Sequence, residues 1–289
     1  MLSSPIKWVG GKYCLRRKVI AALASDAECY AEVFAGAAWV LFGKEKHPIE
    51  VLNDINGDLV NLWRVIKWRP AELLEAIHQY LYSREMFFEL RDARPPEHDE
   101  LGRAVWMYLM IQMSFGADLS RIKSERFGCF KSDGRRFFLS KSLLQIEPAA
   151  ERLRDAIIER LDFADLIRRY DQPRTLFFCD PPYYEQQGYA TAFTLEDHQR
   201  LAEALRSIKG RFLLIVNDHP VIRALYDGLH INEGMQRRAI ARDSAGRKAA
   251  PILFVSNYDT GDRGRAEVRA GAQLRASKAG QRQRWVGSR

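Results

Sequence analysis

The stretch that most constrains this chain is Thr175–Tyr184, TLFFCDPPYY, where a short apolar run stops at an acid, two prolines and two tyrosines. An apolar run such as Leu176–Cys179, bounded by a proline turn, is typical of a strand buried on both faces in a parallel sheet. The prolines exclude a helix, because each fixes φ and lacks a backbone donor. Asp180 is therefore predicted at the carboxyl end of a strand, where open α/β sheets place their ligands.

The bend after this strand predicts a specific chemistry. Pro181 and Pro182 restrict the residues before them to extended conformations and stiffen the turn. The Asp180 carboxylate and the Pro181 carbonyl can then accept from one planar amino group, and Tyr183 offers an aromatic face to a flat heterocycle. The alternative is that the turn has only a structural role and that Tyr183 and Tyr184 simply fill space in the packing.

The Asp180-Pro181-Pro182-Tyr183 string resembles the D-P-P-Y motif of amino-group DNA methyltransferases. From roughly residue 5 to residue 258, the chain resembles the Dam-like family of DNA adenine N6-methyltransferases. The resemblance implies an α/β fold, a Rossmann-like methyltransferase sheet with an inserted helical target-recognition domain. It implies S-adenosyl-L-methionine as methyl donor, no metal, double-stranded DNA as partner, and these four residues as the catalytic ones.

A second informative stretch is residues 5–12, PIKWVGGK, in which a glycine pair precedes a helical pattern that begins at Lys12. Trp8 and Lys12 can offer an aromatic wall and a cation to a charged small molecule. Alternatively, Trp8 anchors the core and Lys12 lies on the surface. The K-W-x-G-G-K string is similar to the family's N-terminal cofactor motif, which implies that both residues bind the donor.

Tyr30–Phe34 is predicted as a strand that runs into Ala35-Gly36-Ala37-Ala38 and then a helix. Small residues at such a turn let a ligand approach the backbone closely. The pattern resembles the family's F-x-G-x-G cofactor loop, which implies that Phe34 and Gly36 bind the donor. Ala38 replaces the second glycine, so we expect a right-handed or extended φ there.

Ile49–Asn53 is predicted as the second strand, and Asp54 follows it. An acid at this position suits the hydroxyls of a ribose. Asp54 could instead cap the next helix, or share the two tasks with Asn56. The family has a similar string here, so Asp54 is assigned to the donor ribose; Asp180 is also expected beside the donor.

Residues 59–156 read as a helical insertion that ends in a basic hairpin. Between Ser120 and Ser140, phenylalanines alternate with bases around the turn-forming Asp133-Gly134 pair. Bases for phosphates and aromatics for wedging or stacking suit DNA recognition, although a solvated basic hairpin would look the same. The candidate DNA-binding residues are Arg121, Lys123, Arg126, Lys131, Arg135 and Arg136.

Later elements complete the predicted sheet. They are a third strand at Ile157–Phe163, a helix capped by Thr194 with Asp197, a strand at Arg211–Val216, and a hairpin of residues 230–240 and 251–258. The predicted division is a catalytic domain of residues 1–58 and 157–258, the insertion at 59–156, and a basic disordered tail at 259–289.

Composition narrows the class of protein further. The chain has no membrane span or secretory leader in its pattern and no CxxC spacing among its four cysteines, so we expect a cytoplasmic protein with reduced thiols. The net charge of +8 is concentrated in residues 121–141 and in the tail, each of which carries +5. Concentrated positive charge indicates a polyanionic partner, although it also serves solubility. We expect a monomer or a weak dimer.

The sequence thus predicts a site-specific DNA adenine N6-methyltransferase of a bacterial or phage-infected cell, acting on a flipped base. A cytosine N4-methyltransferase would need the same bend, but the motif order and the K-W-x-G-G-K start favour adenine. The third alternative is a DNA-binding protein that has lost catalysis, for which Ala38 is the only support.

Overall fold

The computed structural model describes residues 1–24, 26–114, 117, 127, 139–185, 193–237 and 249–261. The six bases predicted to bind DNA, from Arg121 to Arg136, lie outside these ranges. So do the polar 242–248 loop and nearly all of the basic tail. Those predictions stay predictions.

The described strands form one sheet. They are β1 Cys29–Glu32, β2 Ile49–Asn53, β3 Ile157–Glu159, β4 Thr175–Cys179, β5 Arg211–Asn217, β6 His230–Arg237 and β7 Ala249–Ser256. Their order across the sheet is β3-β2-β1-β4-β5-β7-β6. The first five strands pair in parallel, and β7 pairs antiparallel with both β5 and β6. This confirms the predicted Rossmann-like sheet and its closing hairpin.

The described helices connect these strands and cover the sheet. They are α1 Arg16–Ala22, α2 Trp39–Gly43, α3 Gly57–Trp68, α4 Pro70–His78, α5 Arg84–Asp92, α6 Glu100–Met113, α7 Leu139–Leu143, α8 Ile146–Leu153, α9 Phe163–Tyr170, α10 Leu195–Arg206 and α11 Pro220–Leu225. The predicted capping box of α10 is present, because Thr194 and Asp197 each accept a hydrogen bond from the other's backbone N–H.

Strand β4 is buried along its whole length, as its apolar run predicts. Leu176 and Phe178 belong to a core shared with α1–α6 and α8, whereas Phe177 and Cys179 face a second core formed with α9, α10 and α11. Alternation of side chains along a strand accounts for this division. Helices therefore cover both faces of the sheet, and the carboxyl ends of the strands form the open edge.

The inserted helices α3–α8 do not form a separate core. Residues of α3, α6 and α8 belong to the same hydrophobic cluster as β1 and β4, and the Trp63 ring lies 5.7 Å from Phe42 of α2. The division into a catalytic domain and an insertion stays a prediction. No helix in the described ranges is long and apolar enough to cross a membrane.

Some predicted boundaries were wrong. The first strand was expected over Tyr30–Phe34, but it spans Cys29–Glu32. The third strand was expected over Ile157–Phe163, but it ends at Glu159, because the Asp162 side chain caps α9 by accepting from the Ala164 N–H. The first helix begins at Arg16 rather than at Lys12, because the Lys12 carbonyl instead accepts from the Leu15 N–H in a separate turn.

Candidate active site

Asp180 and Lys12 meet at the carboxyl edge of the sheet. The Lys12 ammonium lies 2.6 Å from Oδ1 of Asp180 and donates to the Gly10 carbonyl at 2.8 Å. Lys12 is 3% exposed and the Asp180 side chain 16% exposed. Burial raises the pKa of Asp180 above its ordinary value, and Lys12 opposes that rise. In the described part of the chain, Lys12 is the only ion-pair partner of Asp180.

The rest of the Asp-Pro-Pro-Tyr bend is packed closely. Pro181 is buried, and Pro182 contributes to the wall of a cleft. Tyr183 is only 7% exposed; its hydroxyl donates to Gln236 of β6 at 2.8 Å, and the Lys12 ammonium lies 4.9 Å from its ring centroid. Stacking of a base on this ring therefore requires neighbouring atoms to move first.

Asn217, the last residue of β5, holds the end of this bend. Its Oδ1 accepts from the Tyr184 N–H at 3.0 Å, and its Nδ2 donates to the Tyr184 carbonyl at 3.2 Å. The side chain thus replaces a missing strand partner with two hydrogen bonds. Sequence reasoning did not assign Asn217 to the site. The sequence feature that could have identified it is a polar residue at the end of a buried apolar run.

The loop after β1 needs a glycine at position 36. Gly36 has φ +46°, and a Cβ there would lie 2.8 Å from Cδ1 of Trp8. The Gly36 carbonyl accepts from the Trp63 indole at 3.2 Å. Trp8 is therefore both packed against the loop and part of the cleft wall.

Ala38 does not have the backbone conformation that we expected. Its φ is 50° and its ψ 34°, in the left-handed region, at the start of α2. The Ala38 N–H donates to the Ala35 carbonyl at 2.7 Å, which closes a turn immediately before α2. An L-residue in that region is strained by about 1–2 kcal/mol. Ala38 thus has a backbone conformation that glycine would reach without this strain.

Asp54 lies opposite Gly36 at the end of β2. Its Oδ2 accepts from the Gly36 N–H and its Oδ1 from the Asn56 N–H, each at 3.0 Å. Burial raises the pKa of Asp54, and the backbone donors oppose the rise. Asn56 caps α3 by accepting from the N–H groups of Asp58 and Leu59. Asn56 is therefore the residue that caps α3, and Asp54 lines the cleft instead.

These residues line one cleft of about 1170 Å³, which includes space open to solvent. Phe34, Phe163 and Phe193 form an aromatic cluster on its wall, with ring centroids 5.6–5.8 Å apart. Asn53 supports that wall, because its amide donates to the carbonyls of Val33 and Leu161 and accepts from the Leu161 N–H. The predicted donor-binding residues Trp8, Lys12, Phe34, Gly36, Asp54 and Asp180 all line this cleft.

Glu32 is a buried acid on the floor of the cleft that sequence reasoning did not identify. It is 2% exposed, and its Oε2 accepts from the Tyr30 hydroxyl at 3.0 Å and from the Leu41 N–H at 3.1 Å. Burial raises its pKa to about 8. Glu32 therefore holds its proton to a higher pH than an ordinary glutamate does.

In the described ranges, no three His, Cys, Asp or Glu residues gather in a way that could hold a metal ion. The cleft offers instead aromatic surface, backbone groups and carboxylates.

Comparison with known proteins agrees with this geometry. Residues 8–240 match the family described as D12 class N6 adenine-specific DNA methyltransferase. A DNA adenine methylase of Escherichia coli (strain K12) is 27% identical over 268 residues, which cover 86% of this chain and 93% of that protein. The type II methyltransferase M.CviBI of Paramecium bursaria Chlorella virus NC1A is 24% identical over 266 residues, covering 88% and 98%. The type II methyltransferase M1.LlaDCHI of Lactococcus lactis subsp. cremoris is 27% identical over 276 residues, covering 87% and 94%.

Proposed function

The chain belongs to the D12 class of N6 adenine-specific DNA methyltransferases, and we propose that the cleft between the carboxyl ends of β1 and β4 is where the methyl group is transferred. The family is adenine-specific, so the cytosine N4 alternative finds no support in the comparisons. Ala38 gives little support to the alternative of an inactive DNA-binding protein, because the alanine adopts a left-handed backbone conformation that glycine also adopts readily.

The observation that carries this proposal is the ion pair of Lys12 and Asp180. Lys12 belongs to the N-terminal motif and Asp180 to the Asp-Pro-Pro-Tyr motif. The fold brings the Lys12 ammonium within 2.6 Å of the Asp180 carboxylate. They meet between β1 and β4, where the strand order reverses. Open α/β sheets bind their ligands at such a switch point.

The methyl donor implied by the family is S-adenosyl-L-methionine, and the cleft fits it. Asp54 uses one lone pair of each oxygen on a backbone N–H, so each oxygen can still accept from a ribose hydroxyl. Gly36 lets Trp8 pack closer to the loop than a Cβ would permit, and Trp8 and Phe34 offer aromatic walls to the donor. When bound, the donor supplies a methyl group on a sulfonium centre.

The protein's part in the reaction is positioning. The target adenine leaves the DNA stack at a cost of about a few kcal/mol, because its N6 atom is out of reach inside a duplex. Asp180 and the Pro181 carbonyl accept from the N6 amino group and so orient its lone pair toward the donor. Asp180 need not be a strong base, since the amine can lose its proton after transfer. Tyr183 is the proposed stacking partner of the base.

The substrate that we propose is double-stranded DNA. The concentrated positive charge at 121–141 supports it, with Arg121, Lys123, Arg126, Lys131, Arg135 and Arg136 as the proposed phosphate and base contacts. We further propose a monomeric or weakly dimeric enzyme that works in a bacterial cytoplasm, as part of a restriction-modification system or alone.

The test is transfer of a tritiated methyl group to DNA, followed by nucleoside analysis. We expect labelled N6-methyl-2′-deoxyadenosine with the wild type and none with Asp180→Ala. Circular dichroism and a cooperative thermal unfolding transition show whether the variant is folded. Label on cytosine, or full activity of a folded Asp180→Ala protein, would overturn the proposal.

A further inference from the structure

The first 25 residues carry an unusual charge pattern. They contain five basic residues and no Asp or Glu. These bases are Lys7, Lys12, Arg16, Arg17 and Lys18. Helix α1 therefore starts with two arginines and has no acid in its first turn. Because a helix N-terminus favours negative charge, helix stability does not explain this arrangement.

Arg16 and Arg17 also differ from most arginines of the described chain. Arg94, Arg200 and Arg223, for example, all form ion pairs with carboxylates. By contrast, neither Arg16 nor Arg17 makes an ion pair or a hydrogen bond with the described residues, and Nη1 of Arg16 is shielded from solvent without any partner. Such a group is costly unless something binds it.

Aromatic side chains hold Arg16 in place. Its guanidinium carbon lies 4.7 Å from the ring centroid of Tyr13 and 5.7 Å from that of Trp39. The two rings contact each other edge to face at 4.9 Å. A guanidinium held between rings keeps its donors pre-organised for a planar or phosphate oxyanion.

This group lies at the mouth of the cleft. Trp39 lines the cleft, and Gly11 and Lys12, which precede Tyr13, line it too. Tyr13 is 54% exposed, and Arg17 is also exposed. The cleft itself is lined by Asp54, Asp162, Asp180 and Asp197. A polyanionic substrate approaching those acids would be repelled unless bases at the mouth compensate.

We infer that Arg16 and Arg17 bind phosphates of the DNA strand beside the extruded nucleotide, as a contact surface separate from the predicted basic hairpin. This inference rests on the proposed function. Tyr13 and Trp39 hold the Arg16 guanidinium toward the strand, and Arg17 adds a second, freely hydrated charge. The surface contacts only the sugar-phosphate backbone, so it adds affinity without sequence preference.

The test compares two double variants with the same change in charge. Arg16→Gln/Arg17→Gln alters the proposed surface. Arg168→Gln/Arg169→Gln alters two adjacent exposed arginines at the end of α9, near the amino edge of the sheet and away from the cleft. DNA affinity is measured across a salt series for both variants, and S-adenosylmethionine binding is measured without DNA.

For Arg16→Gln/Arg17→Gln we expect the dissociation constant for DNA to rise about tenfold, and the slope of log K against log salt to flatten by about 1–2. The control should keep the slope of the wild type, and both variants should bind the methyl donor like the wild type. Arg17→Gln alone, at an exposed position, should flatten the slope by about 1. If the double variant does not fold, this single variant still tests the proposed contact surface.

Two results would overturn the inference. A salt slope equal to that of the control would show that these arginines do not reach DNA. Loss of donor binding instead of DNA binding would assign Arg16 to the donor's carboxylate. A wild-type protein that neither binds nor methylates DNA would refute the proposed function itself, which is a distinguishable outcome.

Discussion

The ammonium of Lys12 lies 2.6 Å from the carboxylate of Asp180, so an ion pair joins the N-terminal loop to the bend after β4. Burial and Lys12 act on the pKa of Asp180 in opposite directions, and burial is the larger effect. Among the described residues, the charge of Asp180 in turn raises the pKa of Glu32 and of Cys179. Lys12 thus keeps Asp180 ionised to a lower pH than burial alone would permit.

Replacing Lys12 by methionine should lower methyl transfer by about tenfold or more and move the acid limb of the pH–rate profile to higher pH. The reason is that Asp180 must be ionised to accept from the amino group, and its pKa rises further without the cation. The measurement is kcat/KM for DNA against pH. Lys12→Arg, which retains the charge, should keep the limb near its wild-type position. An unshifted limb in Lys12→Met would contradict the role given to this pair.

Asp54→Asn should weaken S-adenosylmethionine binding by about tenfold or more, because a hydrogen bond to a charged group contributes about 1.5–3 kcal/mol. Asparagine has one acceptor oxygen for two backbone donors, so some stability is also lost. Calorimetry with the donor and, separately, DNA-binding measurements check this. Equal loss of both affinities would mean that Asp54 is only structural.

Asn217→Ala should reduce methyl transfer by about 10–100-fold, since the bend that carries Asp180 loses both hydrogen bonds at Tyr184. Asn257 is a matched control, because it likewise accepts from the Phe212 N–H and donates to the Gly210 carbonyl at the other end of β5. Both alanine variants should lose about 2 kcal/mol of stability. If Asn257→Ala impairs turnover as much as Asn217→Ala, the effect is one of general stability.

Glu32→Gln should make the protein less sensitive to alkaline pH. The folded-state pKa of Glu32 is about 8 against an ordinary value of 4.5, so the folded chain holds a proton that the unfolded chain releases. The contribution of the Glu32 proton to the free energy of unfolding is therefore complete below about pH 4.5. It falls by about 1.4 kcal/mol per pH unit as the pH rises toward 8. Denaturant titrations at pH 6 and pH 8 should show a smaller decrease in Glu32→Gln than in the wild type. Glu75→Gln, on the exposed face of α4, should leave the decrease unchanged.

Ala38→Gly should cost less stability than the same change elsewhere. The comparison is Ala104→Gly in α6, since both alanines are buried and lose the same methyl group. Of these two alanines, only Ala38 has a left-handed φ, so replacing it by glycine removes backbone strain. We therefore expect Ala38→Gly to lose about 1–2 kcal/mol less unfolding free energy than Ala104→Gly. Equal free energies of unfolding for the two variants would show that Ala38 is not strained.

The sequence by itself determined the strand that ends at Asp180, the glycine turn at Gly36, the acid after β2 and the capping box of α10. Each of these depends on neighbours within a few residues, through proline restriction, positive φ or local hydrogen bonds. Local patterning therefore sufficed for these elements and for the six predicted donor-binding residues that line the cleft.

Only the tertiary structure decided how those residues act on one another. The pairing of Lys12 with Asp180, the hold of Asn217 on Tyr184, the burial of Glu32 and the left-handed Ala38 all depend on segments distant in the chain or on the path of the whole loop. The pKa of a buried acid and the burial of Tyr183 are set by everything packed around them. The sequence pattern does not contain the distances between these residues, because the segments that carry them come together only when the chain folds.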